Sequence, residues 1–213
     1  VQADCGSGDV SAWSLPAVCT TKNTVAQVPY TCDFENSNER NAWYFANGNE
    51  TNTNKWYIGR AQNTNNGGNY GMYISNDGGF SNAYDTEGKA TIAHAYREFY
   101  MPESNSYQLT FDWKSAGAEN DYLNVYLLPA NQLPLNGEMP SDIYKINATP
   151  FYNNQNLTCS YVYGDTVPVS VTATNLTWKT YTVEIPRSGI PAGNYYLCFT
   201  WVNNDTTGIQ PPI

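Results

Sequence analysis

Polar and apolar residues alternate singly over four stretches of the chain. Tyr107, Leu109, Phe111 and Trp113 are separated by Gln108, Thr110 and Asp112, and Leu123, Val125 and Leu127 repeat the rhythm. So do Tyr181, Val183 and Ile185 after Lys179, and Tyr195, Leu197, Phe199 and Trp201. A period of two puts every second side chain on one face of an extended chain, so each stretch is predicted to be a strand with one buried face. Turn-forming clusters punctuate the pattern: Asn66-Gly67-Gly68, Asn76-Asp77-Gly78-Gly79 and Pro191-Ala192-Gly193. No stretch carries a convincing helical repeat. The expected fold is all-β, an antiparallel jelly-roll-like β-sandwich in which two sheets share their apolar faces.

Residues 1–20 read as an N-terminal β-hairpin around the turn Gly6-Ser7-Gly8-Asp9. Two strands alone bury too little to be stable, so this hairpin must lean on other structure. Residues 21–29 then read as a linker and residues 30–213 as the sandwich. Pro129 to Pro168 lacks periodicity and is expected to cross the outside of that sandwich as a long loop.

Composition narrows the class. Aromatic residues make up 15% of the chain and charged ones only 14%, against about 25% charged in an average soluble protein. A formal net charge of -9 opposes nucleic acid, whose binding needs clustered Lys and Arg. No apolar run approaches the roughly 20 residues of a membrane span, so membrane insertion is not expected. The chain opens on Val1 with no charged-then-apolar leader, as a mature or excised piece of a larger protein would. Cysteines stand at 5, 19, 32, 159 and 198 without a CxxC or a Cys/His cluster, which argues against zinc. Pairs Cys5–Cys19 and Cys159–Cys198 are candidate disulfides. The odd count leaves at least one thiol unpaired within the chain.

Three segments carry a resemblance to a known family. The first is Tyr30-Thr31-Cys32-Asp33-Phe34-Glu35 with Trp43; the second is Asn54 to Gly59 with Tyr73 to Gly79; the third is Tyr107 to Pro129, with Leu109-Thr110-Phe111-Asp112-Trp113-Lys114 and Asp121 to Pro129. In order and spacing they resemble the MAM-related jelly-roll domain of Bacteroidetes surface proteins, the group that includes the cleaved adhesin domains. The N-terminal hairpin resembles the last two strands of a fibronectin type III domain, a frequent neighbour of that sandwich. The resemblance implies a non-catalytic adhesin or binding module, extracellular or at the cell surface. It would engage a host protein or glycan and sit beside adjoining domains of a larger parent chain. The alternative it leaves open is an accessory carbohydrate-binding or spacer module of a secreted protease or glycoside hydrolase. The family's closing strand usually carries an Asp-Asn or Asp-Asp pair; this chain ends at Pro211-Pro212-Ile213, so that strand is expected to be absent or truncated.

Candidate chemistry is sparse. The chain's one histidine, His94, has no Gly-x-Ser-x-Gly elbow to serve and is expected to be structural. Glu119 and Asp121 read as residues of a turn rather than the paired carboxylates of a glycosidase cleft. No catalytic residue is therefore assigned, and the protein is not expected to be an enzyme. Asp33 and Glu35, two apart on the expected opening strand, would share a face, and the resemblance implies a structural calcium or sodium near that strand. With Asp121 from the strand-connecting turn as a further ligand, they are the candidate ligands of a structural calcium, against the plain reading of a solvated acidic edge. Trp43, Trp56 and Trp178 are the candidate ligand-binding aromatics, flat apolar faces for a sugar ring or partner side chain, against the plain reading of core packing. Asn49, Asn147, Asn156, Asn175 and Asn204 open N-x-Ser/Thr triplets, which a bacterial source would leave unmodified.

Overall fold

In the computed structural model the described residues are 6–11, 24–48, 51–85, 90–104, 106–117, 121–146, 177–186, 190–203 and 208–210. Residues 1–5 and 12–20 of the N-terminal hairpin, with Cys5 and Cys19 among them, Cys159, Glu119 and the five asparagines of the N-x-Ser/Thr triplets lie outside them.

Three long strands form the centre of the main sheet: β5 (Thr91–Met101), β8 (Tyr122–Pro129) and β10 (Gly193–Asn203). β10 lies between the other two and is antiparallel to both, with Phe199 opposite Ala95 on one side and Val125 on the other. The outer edge of β5 takes two short strands, β1 (Ala26–Gln27), which runs parallel to it, and β2 (Tyr44–Ala46), which is antiparallel. Separate antiparallel pairs complete the fold: β3 (Lys55–Gly59) with β4 (Gly71–Ser75), β6 (Ser106–Trp113) with β9 (Lys179–Pro186), and β7 (Ala116–Gly117) with β11 (Gly208–Gln210).

The two-residue rhythm sorts side chains as expected. Leu123, Val125 and Leu127 of β8 and Tyr195, Phe199 and Trp201 of β10 join one buried cluster. Opposite them, in the same cluster, lie Tyr107 and Trp113 of β6, Tyr181, Val183 and Ile185 of β9, and Trp56 and Ile74 from the β3–β4 pair. This is an all-β sandwich with an aromatic interior. Edge-to-face pairs such as Phe111–Phe199, with ring centroids 5.2 Å apart, each add about 0.5–1.5 kcal/mol beyond area burial.

The alternate residues of β5, β8 and β10 face outward, yet they are covered too. Tyr96, Tyr126, Leu128 and Cys198 form a second buried cluster on that face. A strand buried on both faces keeps its period but loses its polar side, which is why β8 is buried from Leu123 through Leu128. The described half of the long loop crosses here: Ile146 donates to the Val125 carbonyl at 2.9 Å, and a one-turn 3-10 helix spans Asp142–Tyr144.

The structure corrects the sequence reading in several places. Ala26 and Gln27, within the expected linker, pair with Phe99 and Tyr100, and Ala26 is buried. The expected strand through Asp33 and Glu35 is absent, because Phe34 between them adopts a positive φ of 64° and turns the chain. A helix, α1 (Ser37–Asn41), follows; the Asn36 side chain caps it by accepting from Asn38 N at 2.8 Å. Five residues that bury none of their side chains leave no helical repeat to read. Cys198 carries a free thiol, fully buried against His94 and Thr200, so the Cys159–Cys198 pairing is not made.

Candidate functional site

A cavity of about 330 Å³ opens between the sandwich layers. Eight of its lining residues are aromatic, and among all the described residues that line it there is no Lys, Arg or His. Its volume falls in the range of small-ligand pockets, which combine an apolar interior with a few polar groups. The floor comes from the strands: Trp56 and Met72 from the β3–β4 pair, Phe111 and Trp113 from β6, Leu123 from β8 and Phe199 from β10. The rim is polar, with Asp33, Asn63, Asn65, Asn66, Thr110 and Asp112.

All three candidate ligand-binding tryptophans line this one cavity. Their roles differ. Trp56 is 2% exposed, and its Nε1 donates to the Ala93 carbonyl at 3.1 Å, so it is a fixed wall. Trp43 is also buried, packed at 6.0 Å from both Phe34 and Phe199, and its Nε1 finds no acceptor among the described residues. Trp178 is only half-buried, with the Lys114 ammonium 4.7 Å from its ring centroid. Of the three it alone offers substantial surface.

The candidate calcium ligands do not converge. Asp33 lines the cavity mouth, and its Oδ1 accepts from Glu35 N at 3.0 Å. Glu35 turns to a different loop, where Oε1 accepts from Asn69 N at 2.6 Å and Tyr70 N at 3.0 Å. Those donors hold its carboxyl below the usual carboxylate range. Asp121 is fully buried elsewhere and accepts from the Tyr84 hydroxyl at 2.9 Å. Among the described residues no three His, Cys, Asp or Glu side chains gather as a metal site.

Glu35 has another task that sequence reading missed. Its carboxylate ties the segment carrying Asn63 to Tyr70 to the chain before α1, and so sets one side of the cavity rim. Gly68 makes the approach possible: it has φ 92°, and a Cβ there would lie 2.6 Å from Glu35 Oε1. Arg40 reinforces the latch by donating to the carbonyls of Phe34 and Glu35 and stacking 3.8 Å from the Tyr70 centroid. The only signal in the sequence was the Asn66-Gly67-Gly68 cluster, which marks a tight turn but not its partner.

His94, expected to be structural, is held by packing and by two hydrogen-bond partners. It is fully buried on the outer face of the main sheet, with Nε2 3.0 Å from the Leu135 carbonyl and Nδ1 2.9 Å from Thr200 Oγ1. A carbonyl only accepts, so Nε2 carries the proton and Nδ1 accepts from the threonine. The ring thereby pins the long loop to the sheet. Burial lowers its pKa, which keeps the imidazole neutral.

An all-β sandwich with an aromatic cleft between its layers is the class of protein that fold and site define. No protein-family model matches the chain, and no curated protein matches it. Among solved structures, the K1 cleaved adhesin domain of Lys-gingipain (Kgp) from Porphyromonas gingivalis W83 is similar to this chain, at 15% sequence identity and a TM-score of 0.41, over 80% of this chain and 85% of that one.

Proposed function

We propose that the chain is a non-catalytic binding module of a secreted or surface protein, and that its cleft receives a group presented by a partner. The observation that carries this reading is the cleft itself: about 330 Å³, an aromatic floor and a rim of Asn, Thr and Asp side chains. Its volume, apolar floor and polar rim match the form of small-ligand clefts. The chemistry of the lining favours recognition over reaction. Among the described residues that line it there is no histidine and no serine, and Cys32 is the one cysteine.

A protein side chain is the first reading of what enters. A glycan is the second, favoured by the amides of Asn63, Asn65 and Asn66 at the mouth, which are suited to sugar hydroxyls beside Trp178. The test is binding of the immobilised protein to arrays of glycans and of peptides, compared with Trp178→Ala. Trp178 is half-buried at the rim, so the variant is expected to fold while losing about tenfold or more in affinity, in keeping with a truncated interface tryptophan. Binding unchanged by Trp178→Ala, or no binding on either array, would remove the cleft from the function.

A further inference from the structure

We infer that the cleft recognises a cation on an apolar stem, and specifically an arginine side chain projecting from a partner protein. This rests on the reading of the cleft as a binding site and adds the class of ligand. Two carboxylates, Asp33 and Asp112, stand among its lining residues, and the described lining residues include no Lys, Arg or His to neutralise them. Each has only modest internal commitments. Asp33 is exposed and accepts one backbone bond, from Glu35 N. Asp112 accepts from Thr180 Oγ1 at 2.5 Å and from Asn65 Nδ2 at 3.2 Å, both neutral donors. A carboxylate offers about four lone-pair sites, so both retain capacity for an incoming N–H.

Aromatic rings supply the other half of the recognition. Their electron-rich faces attract cations, more strongly where water is excluded. The chain already uses this attraction at the site's edge, where Lys114 lies over Trp178. Guanidinium fits the combination better than ammonium. It is weakly hydrated, stacks flat on aromatic rings and meets a carboxylate with parallel N–H donors. The net charge of -9 adds a long-range field that draws basic partners toward the surface. A sugar would use the rim amides but would leave the carboxylates without a charged partner.

The experiment titrates N-acetyl-arginine methylamide into the full chain against its uncharged isostere, N-acetyl-citrulline methylamide, with methyl α-mannoside and methyl β-galactoside alongside. Four of the six tryptophans line the cleft, so intrinsic fluorescence reports occupancy, and amide chemical-shift mapping locates it. The arginine probe is expected to bind about tenfold more tightly than the citrulline probe, the scale of one charge-assisted contact plus a cation–π contact. The double variant Asp33→Asn, Asp112→Asn keeps acceptor oxygens for the internal bonds and is expected to bring the arginine probe down to the citrulline level. Lys114→Gln, which removes the neighbouring positive charge, is expected to tighten arginine binding. Equal affinity of the arginine and citrulline probes would overturn the cation assignment while leaving the cleft as a binding site. Tighter binding of a glycoside than of arginine would overturn it in favour of a glycan. Silence from all four probes would overturn both this inference and the binding role of the cleft.

Discussion

The hydroxyl of Tyr84 donates to Asp121 Oδ2 at 2.9 Å, joining two buried residues that lie 37 positions apart. Desolvation and the carboxylate together push the Tyr84 phenol far above its ordinary pKa, so it remains a donor at any working pH. Its ring meets Trp201 edge-on at 5.6 Å, which ties the carboxylate's partner to the core. Tyr84→Phe keeps the ring but leaves Asp121 short of a donor. The expected cost is about 1–3 kcal/mol, that of removing a partner from a buried polar group. Equilibrium urea unfolding measures it, and a variant as stable as the wild type would show that the bond contributes nothing.

Acid should loosen the fold through His94. Unfolded, the ring takes up a proton near its ordinary pKa of 6.5; folded, burial lowers that value. Its contribution is therefore intact above about pH 6.5 and declines as pH falls below it, by up to about 1.4 kcal/mol per pH unit, until the folded ring itself protonates. Denaturant unfolding from pH 7 to pH 5 should show the decline, and His94→Gln should flatten it. Equal slopes for variant and wild type would place the titrating group elsewhere.

Cys198 should be inert. Burial pushes its thiol up to about 12, so almost no thiolate exists at neutral pH. Native protein treated with iodoacetamide is expected to leave Cys198 unmodified until denaturant is added. Alkylation of Cys198 in the native state, detected by peptide mass mapping, would contradict its burial.

The Glu35 latch can be broken from either side. Gly68→Ala sets a Cβ against Glu35 Oε1 and demands a left-handed backbone from alanine. It should lower the unfolding midpoint and alter the fluorescence of the tryptophans behind the rim. Glu35→Gln keeps an acceptor for Asn69 and Tyr70 and should be the milder change. Calcium at millimolar levels is expected to leave the melting temperature unchanged, because Asp33, Glu35 and Asp121 are engaged in different places. A calcium-dependent rise in melting temperature would show that a cation site exists all the same.

Much of the fold was legible in the sequence wherever a strand has one apolar face. Tyr107 to Trp113 and Tyr181 to Ile185 announce both their conformation and their inward side, because a period of two has one structural solution. Trp43, Trp56 and Trp178, expected as ligand-binding aromatics, line one cavity. The division of labour among the three was not legible, since an aromatic residue reads alike in a core and at a rim.

What remained was decided by contacts between distant residues. Asp33 and Glu35 share a sequence pattern with a strand, yet the left-handed turn at Phe34 sends one carboxylate to the cleft and the other to Asn69 and Tyr70. Cys198 was assignable to a disulfide by count alone until its place beside His94 and Thr200 was known. The local alternation of side chains fixes extended structure residue by residue, because it depends only on neighbours along the chain. Which carboxylate meets which amide, and where an aromatic interior stays open, depends on loops brought together over 30 to 100 positions, and only the tertiary structure determines that.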